Sequence, residues 1–461
     1  MALDMAYALP HPPLAIEDVG RGQERAIAKT LEAYGEVSAE IARIAPEAIV
    51  FITPHSVMYS DYFHISPGAG ASGDFTRFRA PGVRFEAKYD EELAREISTL
   101  AAAYGIPAGP QGEKDPRLDH GVTVPMWFIN KQYANYRAVR ISQSGLEPSA
   151  HYKLGMAIAE AAEKTGRKTV LVASSDLSHK LKEDGPYGYA PEGPSFDEAA
   201  VRALEGGEFL TLMKMDQKLR EKAAECGYGS LMALAGAFDG RGVLPRVLSY
   251  EGPFGVGYAV ASFAPGRPDP ERNILERFEL HALSEARRKQ ESEDSYRALA
   301  RMSLEHRIKT GAVLKKPAGL PAEMENGRAG VFVSLHRNGS LRGCIGTISP
   351  ATGCIAEEII QNAVSAGLRD TRFDPVAEGE LPYLTYKVDV LSPPEPIESS
   401  DELDVRKYGV IVTSGHKRGL LLPNLDGVDT VAEQLEIARK KAGIGANEKY
   451  ALERFEVIRY E

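Results

Sequence analysis

The run Ile49-Val50-Phe51-Ile52-Thr53-Pro54-His55-Ser56 constrains the first part of this chain more than any other stretch. β-Branched and aromatic residues in a short block ended by a proline read as a buried strand. Proline cannot continue a central ladder, so the strand stops there and the next side chain turns outward. In open α/β sheets ligands sit just past the carboxyl ends of strands, which is where His55 falls. The bland alternative is a histidine that hydrogen-bonds a neighbouring loop. The same design recurs, which weighs against that alternative. Residues 6–14 end a short strand in His11-Pro12-Pro13, and residues 169–173 run straight into Ser174-Ser175-Asp176-Leu177-Ser178-His179. Val247–Tyr250 leads into Glu251, and His120 stands in a loop before a short apolar segment.

Between the first two strands, Ile27, Leu31, Tyr34, Val37, Ile41 and Ile44 recur at helical spacing. The opening is therefore β-α-β, which implies parallel strands joined by a right-handed crossover. Parallel strands gather their carboxyl ends, and with them these ionisable side chains, on one edge of the sheet. Further helices are expected at 89–104, 149–165 and 213–238. Residues 56–85 read as a hairpin or a lid, and 180–195 as a mouth loop. The proline-rich run Ala264–Pro270 reads as a linker. After it comes a long charged helical stretch, 272–309. Arg337-Asn338-Gly339 between two strand-like runs is a strong hairpin signal. Strands and helices without strict alternation suggest an α+β domain. The expected organisation is an N-terminal α/β sheet domain over residues 1–266, a linker and helix start over 267–289, and a C-terminal α+β domain over 290–461.

A length of 461 residues suits two or three domains. The net charge of -10 argues against a general nucleic-acid or anionic-membrane surface. Three cysteines, Cys226, Cys344 and Cys354, are too few for a disulfide framework and suit a reducing cytoplasm. The N-terminus has an acidic residue and no basic segment, so it does not read as a signal peptide. No apolar run reaches the ~18 residues of a membrane span.

Imidazole and carboxylate together suit a divalent transition metal. Two histidines and a carboxylate on one face, with open positions opposite, form the triad of non-haem Fe(II) oxygenases. Three histidines with a carboxylate equally suit a zinc hydrolase. Asp176 is as readily a turn or helix N-cap residue as an acid. His64, His151, His281 and His306 read as solvated.

Pro10-His11-Pro12, Thr53-Pro54-His55-Ser56, Asp119-His120-Gly121, Ser174–His179 and Ser249-Tyr250-Glu251-Gly252-Pro253-Phe254-Gly255 together resemble the class III extradiol ring-cleavage dioxygenases. These are typified by the catalytic subunit of protocatechuate 4,5-dioxygenase, and the Memo proteins share their fold. The resemblance covers residues 5–265. It implies His11, His55 and Glu251 as Fe(II) ligands, with Mn(II) or Zn(II) as alternatives. It also implies His179 as an acid/base, and His120 in contact with a small aromatic substrate or O2. Memo-type relatives carry cysteine at the third ligand position, so Glu251 favours ring opening of a catechol over a Memo-like metal-binding or adaptor role.

In the C-terminal part, Leu341-Arg342-Gly343-Cys344-Ile345-Gly346 is the most distinctive stretch. Cys344 beside Arg342 suggests a low-pKa thiolate; the preferred reading is a small buried cysteine in a hairpin strand. With Arg369–Val376 and Gly419–Pro423, the hexapeptide resembles the AMMECR family over residues 290–461. Arg342, Cys344 and His416 are expected to line one cleft. The fusion of the two domains resembles one that travels with a radical-SAM protein, which implies such a partner. A homo-oligomer is left open.

Overall fold

The computed structural model describes residues 3–425 and 427–461. The chain forms two compact units, Met1–Glu279 and Leu280–Glu461.

The first unit is built on a six-stranded sheet. Its strands are β1 (Met5–Leu9), β2 (Ala48–Thr53), β3 (Arg137–Ser142), β4 (Thr169–Ser174), β5 (Arg241–Glu251) and β6 (Tyr258–Pro268), in the order β3-β2-β4-β1-β6-β5. The first four are parallel, and β6 is antiparallel to both β1 and β5. β1, β2 and β4 are buried at every position, which their continuous apolar sequences require of strands covered on both faces. Side chains alternate between two cores. Tyr7, Leu9, Ile49, Phe51 and Val172 pack with the helices α1 (Ala28–Ile44) and α3 (His120–Asn130). Ala8, Val50, Ile52 and Ala173 pack with α2 (Glu91–Ala103), α4 (Pro148–Thr165), α5 (Glu192–Gly206) and α6 (Tyr228–Gly236).

The parallel order brings the carboxyl ends of β1, β2 and β4 side by side, as the β-α-β reading expects. Several expectations change. His120 is the first residue of α3, not a loop residue. Residues 56–85 do contain a hairpin, one of the two forms expected there, Gly70–Phe75 with Ala80–Lys88. The helix expected over 213–238 is broken, with Gln217–Ala223 and α6 separated by a turn holding Cys226. The proline-rich run from Ala264 is no linker at its start: Pro265 pairs with Val243 and Pro268 with Arg241 in the β5–β6 ladder. The compact units part within α7 (Ile274–Glu291).

The second unit is α+β. Its four-stranded sheets hold β7 (Val331–Arg337), β8 (Ser340–Gly346), β9 (Leu384–Leu391), β10 (Glu395–Ile397), β11 (Gly409–Ser414), β12 (Lys417–Leu421), β13 (Ala451–Phe455) and β14 (Val457–Tyr460). One has the order β8-β7-β9-β14 and the other β10-β13-β11-β12. The β7–β8 turn is Asn338-Gly339, both at positive φ, as the Asn-Gly signal expects. The charged stretch 272–309 is two helices, because Asp294 caps a second one, Ser295–Thr310. Among the described residues no helix is long and apolar enough to cross a membrane.

Candidate metal centre

His11 follows β1 by two residues and is 1% exposed. Its backbone N–H donates to Asp176 Oδ1 at 2.7 Å, and its Nδ1 meets Ser174 Oγ at 2.9 Å. The Tyr34 hydroxyl, on α1, donates to the Pro10 carbonyl and holds the turn from the other side. With Nδ1 engaged, Nε2 is the nitrogen left for the cavity. It lies 2.9 Å from His55 Nε2 and 3.5 Å from Cys226 Sγ. These three donor atoms all lie within 4.8 Å of one another. A second such group, Asp176, His179 and Cys226, shares the thiol.

The other imidazoles surround this cluster. His120 stacks on His55 with ring centroids 4.0 Å apart. His179 hydrogen-bonds the Ala224 carbonyl through Nδ1, so that nitrogen carries the proton and Nε2 is free to accept one. Asp119 accepts from Thr53 Oγ1 at 2.6 Å and orders the chain on both sides of the site. A cavity of about 520 Å³ opens above, lined by His11, His55, His120, His179, Asp176 and Tyr258, with Phe78, Tyr187 and Phe254 as ring-bearing walls.

Burial sets the protonation states. It lowers the pKa of His11, His55 and His179, and takes His120 down to about 3. For His11 the neighbouring imidazoles add to the effect. All four are therefore neutral bases at pH 7, the form that ligates metals. Burial raises Asp176 to about 7 against the lowering effect of the His11 N–H. It also holds the Cys226 thiol well above its ordinary range. Two neutral imidazoles and a thiol with converging donor atoms fit a transition metal, whose charge would deprotonate the thiol on binding.

Glu251 is not among these groups, contrary to the sequence expectation. Its carboxylate accepts from Thr30 N at 2.9 Å and Thr30 Oγ1 at 2.8 Å, at the first turn of α1. The reason is topological. Glu251 ends the edge strand β5, and β6 lies between β5 and β1. Two strand spacings, roughly 10 Å, separate it from the end of β1. The donor atom that joins the two imidazoles is the Cys226 sulfur, which sequence reasoning missed by placing it inside a helix. The signal was Gly227-Tyr228-Gly229, an unlikely helix interior. A Cβ at Gly227 would lie 2.4 Å from Ser175 Cβ, so the turn must pass close against the end of β4. His64 and His151, expected to be solvated, are buried. His64 Nε2 meets Glu113 at 3.1 Å, and His151 Nε2 accepts from Ser144 N.

In the second unit, Arg342 pairs with both oxygens of Glu380 at 2.9 Å rather than activating Cys344. Cys344 lies half-buried on β8, its N–H on Asp370 and its sulfur 3.1 Å from Ser334 Oγ. Burial pushes the thiol up, which opposes the thiolate expectation. His416 is exposed at the β11–β12 turn in the other sheet. Among the described residues no hydrogen bond or ion pair joins it to Arg342 or Cys344.

The family described as the catalytic LigB subunit of aromatic ring-opening dioxygenase matches residues 5–261, and the AMMECR1 family matches residues 297–461. Protein CA_C1420 of Clostridium acetobutylicum is 42% identical over 469 residues, covering 100% of both chains. A protein of Thermotoga maritima is 49% identical over 160 residues, 34% of this chain and 92% of its own. Among solved structures, the uncharacterized protein JW3007 from Escherichia coli K12 aligns with a TM-score of 0.41 at 17% identity, covering 57% of this chain and 99% of its own. The uncharacterized protein PH0010 from Pyrococcus horikoshii aligns with a TM-score of 0.34 at 32% identity, covering 36% and 88%. The chain belongs to the LigB family of aromatic ring-opening dioxygenase subunits over its first unit and carries an AMMECR1 domain in its second.

Proposed function

We propose that the first unit binds a transition-metal ion through His11, His55 and Cys226, as a Memo-like centre, and uses the cavity above it to bind and deprotonate a small ring-bearing ligand. The observation that carries this reading is the placement of Cys226 Sγ 3.5 Å from His11 Nε2 while Glu251 is engaged at Thr30. A thiolate with two imidazoles favours Fe(II) or Zn(II) over Mn(II), which prefers oxygen ligands. The ion would supply Lewis-acid chemistry and, if iron, one-electron chemistry. His179 is the base: its Nδ1 proton is tied to Ala224, so its Nε2 is available to take a proton from a ligand hydroxyl. His120 stacks on His55 and fixes that ring's plane. The prolines and aromatic rings of the walls exclude water from one side of a flat ligand.

Extradiol cleavage of a catechol is the second reading, favoured by the family match and by a base and a neutral imidazole facing one cavity. Anaerobic loading with Fe(II) and Zn(II), followed by metal analysis and O2 uptake with a catechol panel, separates the two. The expected result is stoichiometric metal in the wild type and in Glu251→Gln, and little in Cys226→Ala. Metal lost from Glu251→Gln but retained in Cys226→Ala would put the centre elsewhere. Catechol-dependent O2 uptake would establish the second reading. A radical-SAM protein partner is proposed on the resemblance alone, and co-purification of the two proteins tests it.

A further inference from the structure

One polar group in the cavity serves neither the metal set nor the proton-accepting histidine. Tyr258 opens β6, lines the cavity and is 3% exposed. Its ring belongs to the same apolar cluster as Leu9 and Val172, beneath the strand ends that carry His11 and Asp176. Among the described residues its hydroxyl has no hydrogen-bond partner. The ring is packed while the hydroxyl opens to the cavity, so its donor is available to a ligand that enters. Burial and the nearby Asp176 carboxylate both disfavour the phenolate, which leaves the group a donor.

The backbone that presents this ring is pinned to the site. Leu177 N donates to Gly257 O, and Gly257 N donates to Ser178 O, each at 2.8 Å. The start of β6 therefore moves with the turn that carries Asp176 and His179. Gly257 must lack a side chain, since a Cβ there would lie 2.0 Å from Asp197 Oδ2. A ligand oxygen that carries negative charge needs a fixed donor close to the centre.

We propose that Tyr258 is a ligand-contacting residue whose hydroxyl donates a hydrogen bond to an anionic oxygen of a planar, ring-bearing ligand in this cavity. This rests on the reading of the cavity as the ligand site of a metal centre. The test uses the full chain, loaded anaerobically with Fe(II) and titrated with 4-nitrocatechol, whose visible absorption reports its ionisation. Tyr258→Phe keeps the ring and removes only the unpaired hydroxyl. The expected result is unchanged iron content, a dissociation constant raised about tenfold or more, and a shifted absorption maximum of the bound probe. Tyr189→Phe, on an exposed ring outside the cavity lining, is expected to leave all three unchanged. Probe affinity within twofold of wild type in Tyr258→Phe, with iron retained, overturns the proposal. Iron lost from that variant makes the residue structural and overturns it too. Wild type that takes up iron but no nitrocatechol overturns the ligand class. Wild type that takes up no iron overturns the metal reading itself, and this proposal with it.

Discussion

Cys226 stands in the donor cluster where Glu251 was expected, and Glu251 lies instead at the first turn of α1. Glu251 satisfies N–H groups at the first turn of α1, where a carboxylate also meets the positive end of the helix. Replacing it with glutamine is expected to lower the stability of the first unit by about 1 kcal/mol, read as a urea midpoint shift at unchanged slope. A wild-type midpoint in Glu251→Gln would deny the capping role. His11→Ala removes a buried ring and one nitrogen of the centre, so it is expected to abolish metal retention after desalting; retention within twofold of wild type would exclude His11 as a ligand. The histidines were legible in the sequence because each stands next to an apolar run whose end is marked by proline or a turn. The third donor was not, because strand-end position does not reveal lateral order. Glu251 ends a strand on the correct edge of the sheet and still lies too far along it.

At the scale of elements, the turn between Gln217–Ala223 and α6 is what delivers the thiol. Ala224 takes the left-handed conformation there (φ 52°), and Gly227 packs against Ser175 and Asp176. Gly227→Ala is expected to destabilise the first unit by about 1–3 kcal/mol and to weaken metal retention although every ligand is intact. Thermal unfolding and metal analysis read both, and normal values for both would deny the close packing. A second element-scale tie is Asp197 of α5, which accepts from Ser178 N and from the Tyr250 hydroxyl, both at 2.7 Å. Burial raises its pKa to about 7, despite these hydrogen bonds. The folded state therefore holds the proton more tightly than the unfolded chain, whose carboxyl titrates near 4. The contribution is favourable below about pH 4 and is lost as pH rises toward 7. Asp197→Asn keeps an acceptor for Ser178 and should flatten the decline in stability between pH 4.5 and 7; an unchanged slope would rule Asp197 out as its source. The sequence pattern located the helices by their periodicity. It could not place the break before α6, because Ala, Leu and Gly keep an apolar face on either side of the turn.

At the scale of the whole molecule, each unit closes its own apolar clusters. Calorimetry of the metal-loaded chain is expected to show two transitions, of which a chelator lowers one, since an ion that binds a folded unit stabilises that unit. A chelator that shifts both equally would show the units to be coupled. The two-domain division was legible from the change of texture near residue 270. The units part at Glu279, inside the expected 267–289 segment, but the proline run before it read as a linker because prolines tolerated on a sheet's outer strands look like one when read one residue at a time. The distance in sequence between His11 and Cys226, 215 residues, has a further consequence. During synthesis the two imidazoles emerge long before the thiol. An N-terminal fragment that stops short of residue 226 holds an open pair of nitrogens and nothing to close it. On the proposed reading, metal capture is thus tied to late, long-range contacts, and the loaded fraction of a preparation would record how much of the first unit has completed its fold.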